Sequence, residues 1–179
     1  MTAVDHTKNI IEVRDVSFSY GENLVLKNIN LNIHKGDYIG IVGPNGGGKT
    51  TLIRLILNLL ELKTGSIHVY SPNISYVGQK ASDIDQKFPI TVSEVVNLGT
   101  DKASAIKAME DVGIYSLKNR LVGTLSGGQL QKVFIALALA QKPEILFLDE
   151  PTLGLDIQTR QNMWTYIRDL NHKKASPCL

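Results

Sequence analysis

Apolar and polar positions alternate near the start of the chain. Two stretches follow this pattern: Ile11, Val13 and Val16, then Ile29, Leu31 and Ile33. A period of two is typical of half-buried strands, so we predict antiparallel strands here. Shorter apolar runs predict two further strands, at 66–70 and 74–77.

A different order of elements follows the first hairpin. The apolar run 38–42 leads into a glycine-rich segment, and apolar residues then recur at helical spacing over 49–60. We therefore predict a strand, a glycine loop and a helix in succession.

The second half of the chain is mostly helical by pattern. Thr91 and Glu94 predict a capping box at the start of one helix, and 102–112 predicts a second helix. A long helix is expected over 127–140, and a buried parallel strand over 145–148. A last helix is predicted over 157–170.

Strands that alternate with helices predict an α/β fold. We expect a mostly parallel sheet with helices on both faces, a small N-terminal antiparallel β unit and a short helical subdomain. The predicted organisation is one domain over 1–179. Its parts are an antiparallel unit and loop core at 10–78, the short helical subdomain at 79–125, a helix and strand core at 126–170, and an irregular tail at 171–179.

Composition narrows the function classes. The chain has 179 residues, of which 43% are hydrophobic, and this suffices for one domain with a core. A net charge of +2 without a basic block argues against a nucleic-acid partner. The single Cys178 provides neither an internal disulfide nor a metal knuckle. No apolar stretch reaches the length of about 18 residues that a membrane span needs, so we expect a cytoplasmic protein that docks on a membrane partner.

A glycine-rich motif predicts a phosphate site. The pattern GxxxxGK[ST] is formed by Gly43, Pro44, Asn45, Gly46, Gly47, Gly48, Lys49 and Thr50. Between a strand and a helix, such a loop wraps phosphate oxygens in backbone N–H groups; outside that context it is an ordinary glycine turn. Lys49 would bridge the β- and γ-phosphates of ATP, Thr50 would ligate Mg²⁺, and Thr51 can reach the α-phosphate.

Two carboxylates follow the last predicted strand. Asp149 and Glu150 come directly after 145–148, at the strand end where parallel sheets bind ligands. Such a pair alone is typical of a helix cap. Beside a phosphate loop, we expect Asp149 to hold Mg²⁺ through water and Glu150 to be the base for the attacking water.

A second anion site is predicted at the start of the long helix. The segment that opens this helix consists of Leu125, Ser126, Gly127, Gly128 and Gln129. Its serine hydroxyl and N-terminal donors are suited to an anion. Because one nucleotide does not need two such sites in one chain, we expect this one to complete the nucleotide pocket of a second subunit in a homodimer.

These motifs together resemble the ATP-binding cassette (ABC) family, with a P-loop NTPase core. The match covers the glycine loop, Gln79, the segment around Ser126, the strand before Asp149 and the pair Leu155–Asp156, in family order. The resemblance implies that Tyr20 stacks on adenine, that Gln79 senses Mg²⁺ and contacts the membrane subunit, and that Asp156 belongs to a dimer contact. Tyr20 alone could equally be a surface aromatic of a strand.

A finer resemblance concerns the cargo. Residues 87–92, together with 43–52, are similar to the ATPase subunits of bacterial zinc and manganese importers. This similarity implies an integral membrane permease as partner, and a place on the cytoplasmic face of the cell membrane. An ATPase does not touch the cargo, so these residues can also report ancestry alone.

The chain departs from the family pattern at its end and near Gln79. Members have a further buried strand that ends in a histidine at the γ-phosphate, whereas residues 171–179 contain no apolar run. We expect His172 to be solvated, and hydrolysis to be slowed more than binding. Gly78 stands where a proline is common, which puts permease coupling in doubt.

Two other functions compete with transport. A soluble ABC protein of DNA repair or cluster assembly would need a long coiled coil or zinc modules between the two anion sites, and 79–125 is too short for these. A nucleotide-binding association module with little hydrolysis is the other alternative.

Overall fold

The computed structural model describes residues 8–37, 39–78 and 89–151, together with Ile157, Gln161 and Thr165. The chain divides into two compact units, with the boundary between Pro72 and Asn73. The first unit contains a three-stranded sheet and the second a two-stranded sheet. The predictions for Gln79, Asp156, His172 and the tail 171–179 lie outside the described residues.

The first unit is built on an antiparallel sheet. Its strands are β1 (Asn9–Tyr20), β2 (Asn23–His34) and β3 (Thr64–Val69), in the order β2-β1-β3. Both pairings are antiparallel, which confirms the predicted N-terminal unit. The strand predicted at 66–70 begins two residues earlier, at Thr64.

A bulge in β1 explains an irregular spacing in its apolar pattern. Val13 and Val16 are both fully buried, although they are three positions apart, whereas residues on one face of a regular strand are two or four positions apart. The register shifts between them, and Asp15 takes a left-handed φ of 49°. The Asp15 N–H donates to Oδ1 of Asn30 at 3.0 Å, so the displaced backbone remains hydrogen-bonded.

Gly65 lets β3 approach this bulge. Its φ is +88°, and a Cβ placed there would lie 2.4 Å from the carbonyl oxygen of Arg14 and 2.7 Å from the carbonyl carbon of Asp15. These are backbone atoms that cannot rotate away. A side chain at position 65 is therefore incompatible with the β1–β3 pairing.

The helix after the glycine loop, α1 (Lys49–Ile56), is shorter than the predicted span 49–60. Asn58 adopts a left-handed φ of 55°, and the N–H of Leu59 donates to the carbonyl of Arg54 at 2.8 Å. This is the Schellman ending, in which a left-handed residue closes the last turn. Asn tolerates that conformation, so the local sequence ends the helix at Ile56.

The strand predicted over 38–42 is wrong for its described part. Residues 39–42 form no ladder within the described ranges, and the side chains of Ile39, Ile41 and Val42 are exposed. An apolar run favours a buried strand only where neighbouring strands supply hydrogen-bond partners. Whether neighbouring strands are present depends on the rest of the sheet and cannot be deduced from the apolar residues alone.

The elements of the second unit that are described from end to end are a parallel pair of strands and three α-helices. β4 (Ile74–Val77) pairs in parallel with β5 (Ile145–Leu148), as predicted for the later strand. The helices are α2 (Val92–Val96), α3 (Lys102–Asp111) and α4 (Gly127–Ala140), with 3₁₀ turns at Tyr115–Leu117 and Val122–Thr124. In β5, Ile145 is buried and the next three residues are half-buried, so the predicted full burial is not observed.

Helix caps in this unit follow the sequence signals. The Thr91 hydroxyl accepts from the Glu94 N–H at 3.3 Å, and the Glu94 carboxylate accepts from the Thr91 N–H at 2.7 Å. This is the predicted capping box. Of the helix predicted over 157–170, Ile157, Gln161 and Thr165 are described, and all three are helical.

The core of the second unit lies among its helices. α2 and α3 pack on α4, and α4 packs on β4. Fully buried members of this core include Val92, Val96, Met109, Val133 and Ile135. The strands and helices confirm the α/β class. Within the described ranges, no helix has both the length and the apolar character that crossing a membrane requires.

Candidate functional site

The glycine loop of the first unit has an open backbone geometry. Gly46 and Gly48 take left-handed φ values of 78° and 81°, and the Gly47 N–H donates to the Pro44 carbonyl at 3.0 Å. Residues 41–47 are exposed. Left-handed residues inside a turn point successive N–H groups toward one concavity, which is the arrangement that binds phosphate oxygens.

The N-terminus of α1 lacks a side-chain cap. Its N-cap is Gly48, and its first turn contains no acidic residue. By contrast, α2, α3 and α4 are each capped by a side-chain oxygen, from Thr91, Asp101 and Ser126. The first N–H groups of a helix need acceptors, and a phosphate at this end of α1 would supply them and complement the helix dipole.

The lysine of the loop lies over the loop backbone. The Lys49 ammonium donates to the carbonyls of Gly43 and Pro44, at 3.1 and 2.9 Å. Thr50 is half-buried and Thr51 is buried, so both belong to the packed start of α1. A cation beside a glycine loop and a helix N-terminus without a side-chain cap together fit a polyphosphate.

Strand β2 packs against this loop at Gly48. Sequence reasoning missed this contact. A Cβ on Gly48 would lie 2.7 Å from Cδ2 of Leu26 and 3.0 Å from Cγ1 of Val25. No sequence signal joins these strand residues to the loop, because the contact depends on how the hairpin packs. The absence of a side chain at Gly48 lets the loop rest on β2.

Tyr20 lies at the end of the same hairpin. It pairs with Asn23, which precedes Val25 by two residues, so Tyr20 is about 7 Å along the strand from the loop contact. The Tyr20 ring is 48% exposed and packs edge-on against Phe18, with ring centroids 4.9 Å apart. The exposed ring and its supporting Phe18 are compatible with the expected adenine stacking.

Asp149 of the second unit is a buried carboxylate at the end of β5. It is 3% exposed, and its N–H donates to the carbonyl of Val77 at 2.9 Å. The hydroxyl of Tyr76 donates to Oδ2 of Asp149 at 3.2 Å. Sequence reasoning missed Tyr76. The register that brings positions 76 and 149 together cannot be deduced from either strand alone.

Glu150 has an unusual backbone conformation. Its φ is 52°, a value that residues with a side chain rarely adopt, and it is half-buried. Strained residues of this kind cluster at functional sites. Asp149 is buried and Glu150 is half-buried, so the two neighbouring carboxylates differ in exposure.

Ser126 acts as the N-cap of α4. Its hydroxyl oxygen accepts from the Gln129 N–H at 3.3 Å, and the Gln129 side chain accepts from the Ser126 N–H at 3.1 Å. Ser126 and Gly127 are exposed. A serine hydroxyl that accepts one hydrogen bond still has its own proton to donate. The cap thus orients the side chain and leaves it accessible.

The expected magnesium ligands are distributed along the chain. Thr50 is described in the first unit and Asp149 in the second, while Gln79 lies outside the described residues. In the described ranges, no group of three or more His, Cys, Asp and Glu side chains is arranged to hold a metal ion. A hydroxyl and a carboxylate are nevertheless the oxygen ligands that Mg²⁺ takes beside phosphates.

Known proteins match this chain over most of its length. The ABC transporter family matches residues 26–153. The zinc uptake system ATP-binding protein ZurA of Listeria monocytogenes is 39% identical, covering 96% of this chain and 76% of the relative. The manganese transport system ATP-binding protein MntB of the same organism is 37% identical, covering 89% and 75%.

A solved structure agrees with the fold. CbiO1 from Clostridium perfringens, part of the ABC transporter complex cbiONQ, aligns with a TM-score of 0.81 at 28% identity. The alignment covers 94% of this chain and 76% of that one.

The fold and the glycine loop define a nucleotide-binding protein of the P-loop class. The chain belongs to the ABC transporter family, as an ATP-binding domain with the ATPase activity of that class. Its function is ATP binding and hydrolysis coupled to transport.

Proposed function

We propose that this chain is the ATP-hydrolysing subunit of an importer of zinc or manganese ions. It would work as a homodimer on an integral membrane permease, at the cytoplasmic face of the cell membrane. The relatives named for zinc and manganese uptake, at 39% and 37% identity, support this cargo.

The observation that carries the proposal is the uncapped N-terminus of α1. Left-handed Gly46 and Gly48 turn the loop into the helix, and the Lys49 ammonium lies over the loop carbonyls. In this arrangement Lys49 would bridge the β- and γ-phosphates of ATP, with Thr51 near the α-phosphate. The N–H groups at the start of α1 would complete the cradle.

The carboxylates take separate roles in this proposal. Thr50 and Asp149 would hold Mg²⁺, with Gln79 sensing it, and Mg²⁺ supplies positive charge to the β- and γ-phosphate oxygens when bound. Asp149 is suited to a fixed position because it is buried and hydrogen-bonded. Glu150 would accept the proton of the attacking water; its left-handed backbone and its half-buried side chain set it apart from Asp149.

A second subunit would complete the site. The start of α4 consists of Ser126, Gly127, Gly128 and Gln129, and its capping box is formed within the chain. Ser126 and Gly127 are exposed, so a partner can reach them. We place the γ-phosphate of a partner's ATP at this cap, with Asp156 in the same dimer contact. ATP would then hold two copies together, and hydrolysis would release them.

Single-turnover hydrolysis tests the proposal. Purified chain is mixed with radiolabelled MgATP, beside Glu150→Gln as a control, and the oligomeric state is followed on the same samples. We expect hydrolysis by the unsubstituted chain and ATP-dependent dimers in both proteins, with turnover reduced at least about 100-fold in the variant. Tight ATP binding without turnover in either protein would contradict an energy-coupling ATPase and favour an association module.

A further inference from the structure

Tyr76 and Asp149 lie on one face of the parallel strand pair. Tyr76 is opposite Phe147 in the register, and side chains two residues apart on a strand share a face. Asp149 follows Phe147 by two residues, just beyond the end of β5. The Tyr76 ring therefore points along the face on which the carboxylate emerges, and its hydroxyl reaches Oδ2 at 3.2 Å.

The absence of a side chain at Gly78 leaves space for the Tyr76 ring. A Cβ at position 78 would lie 3.0 Å from the Tyr76 hydroxyl oxygen and 3.1 Å from both Cε1 and Cζ. These distances are below ordinary van der Waals contact, so any side chain there would displace the phenol end of the ring by a few tenths of an ångström. Glycine at position 78 thus allows the Tyr76 hydroxyl to lie where it reaches Asp149.

The hydrogen bond matters because Asp149 is 3% exposed. A buried carboxylate requires hydrogen-bond donors, and a donor on one oxygen fixes the rotation of the carboxyl group. The backbone N–H of Asp149 is held by its hydrogen bond to Val77, and the bond from Tyr76 restrains rotation of the side chain.

We propose that Tyr76 is a positioning residue that orients the Asp149 carboxylate toward the magnesium ion of the bound nucleotide. This inference rests on the proposed function, in which Asp149 holds Mg²⁺. In this role Tyr76 acts through Asp149 and does not itself bind the metal or the nucleotide. Its removal should therefore weaken the contribution of Mg²⁺ to ATP binding and leave metal-independent binding intact.

Titration calorimetry of ATP tests this role in the full chain, with MgCl₂ or with a chelator present. Tyr76→Phe removes only the hydroxyl. The matched control is Tyr70→Phe, which removes a hydroxyl from a tyrosine that is 57% exposed in the other unit. We expect Tyr76→Phe to reduce the Mg²⁺-dependent gain in ATP affinity about tenfold. The affinity in chelator should not change, and Tyr70→Phe should behave as the unsubstituted chain.

Gly78→Ala is the second variant, because it displaces the phenol end of the ring without removing the hydroxyl group. A smaller loss of the same Mg²⁺-dependent gain is expected, with the unfolding temperature of each variant measured in parallel. An unchanged gain in Tyr76→Phe would overturn the inference. So would an equal loss of affinity with and without Mg²⁺, which would indicate a purely structural role. Absence of Mg²⁺-dependent binding in the unsubstituted chain would instead refute the proposed function itself, and the inference with it.

Discussion

Gly48→Ala should destabilise the first unit far more than Gly46→Ala, although both glycines belong to one loop. Their φ values are 81° and 78°, so the left-handed penalty is shared. That penalty is about 1–2 kcal/mol for a residue with a side chain. The alanine also restricts the unfolded chain, which returns about 0.4–1 kcal/mol. Both variants therefore start from a net loss of about 1 kcal/mol.

The difference arises from what the new methyl group meets. At Gly46 nothing lies within 4 Å, whereas at Gly48 Leu26 Cδ2 would be at 2.7 Å and the Val25 carbonyl oxygen at 3.2 Å. Carbon atoms attract best at about 3.5–4.0 Å, so Leu26 must leave its position. Overpacking of this kind costs about 1–3 kcal/mol. We expect a total loss of about 3 kcal/mol for Gly48→Ala.

Urea unfolding followed by far-ultraviolet circular dichroism measures the contrast. A difference of about 2 kcal/mol between the variants lowers the midpoint for Gly48→Ala by about 1 M relative to Gly46→Ala, at a slope of about 2 kcal/mol per M. Equal midpoints would refute the reasoning, because they would mean that β2 does not support the loop.

Two further predictions concern the scaffold. Gly65→Ala should lower the unfolding temperature by about 10 °C, since its Cβ would overlap backbone atoms of Arg14 and Asp15, whereas Gly113→Ala, at φ +72° with nothing within 4 Å, should cost only about 3 °C; similar shifts would contradict the overlap. The hydrogen bond from the Thr91 hydroxyl, followed by that from the Thr91 backbone, lowers the pKa of Glu94 from its ordinary 4.5. The Glu94 carboxylate therefore stabilises α2 at pH values above 4.5, and this stabilisation is lost as the pH falls through the lowered pKa of Glu94. Glu94→Gln should flatten the loss of ellipticity measured between roughly pH 5 and 2, and an unchanged acid transition would count against this role.

Local signals in the sequence predicted the helical elements well. The capping box at Thr91 and Glu94 involves residues three apart, and the helix start at Gly127 has its own cap in Ser126. Such interactions are complete within one turn, so neighbouring residues determine them. The alternating pattern likewise predicted the antiparallel strands, because one face of that sheet is buried.

Features that depend on contacts between distant segments could not be predicted. The bulge at Asp15 and the close approach of Gly65 are properties of strand pairing. The exposed residues 39–42 show the same limit, since their apolar pattern carries no information about a sheet neighbour. In the candidate site, the glycine loop was found from its motif, but its support by Val25 and Leu26 was not.

Left-handed residues have different roles in the glycine loop and at the end of α1. Asn58 is left-handed as well, but it closes a helix in a Schellman ending and so satisfies the backbone. Gly46 and Gly48 do not close a helix; they open one, at the N-terminus that has no side-chain cap. The N–H groups in the first turn of a helix are stabilised by acceptors, and a capping side chain is one source of them. In the proposed function, the negative oxygens of a bound polyphosphate supply these acceptors beside Lys49.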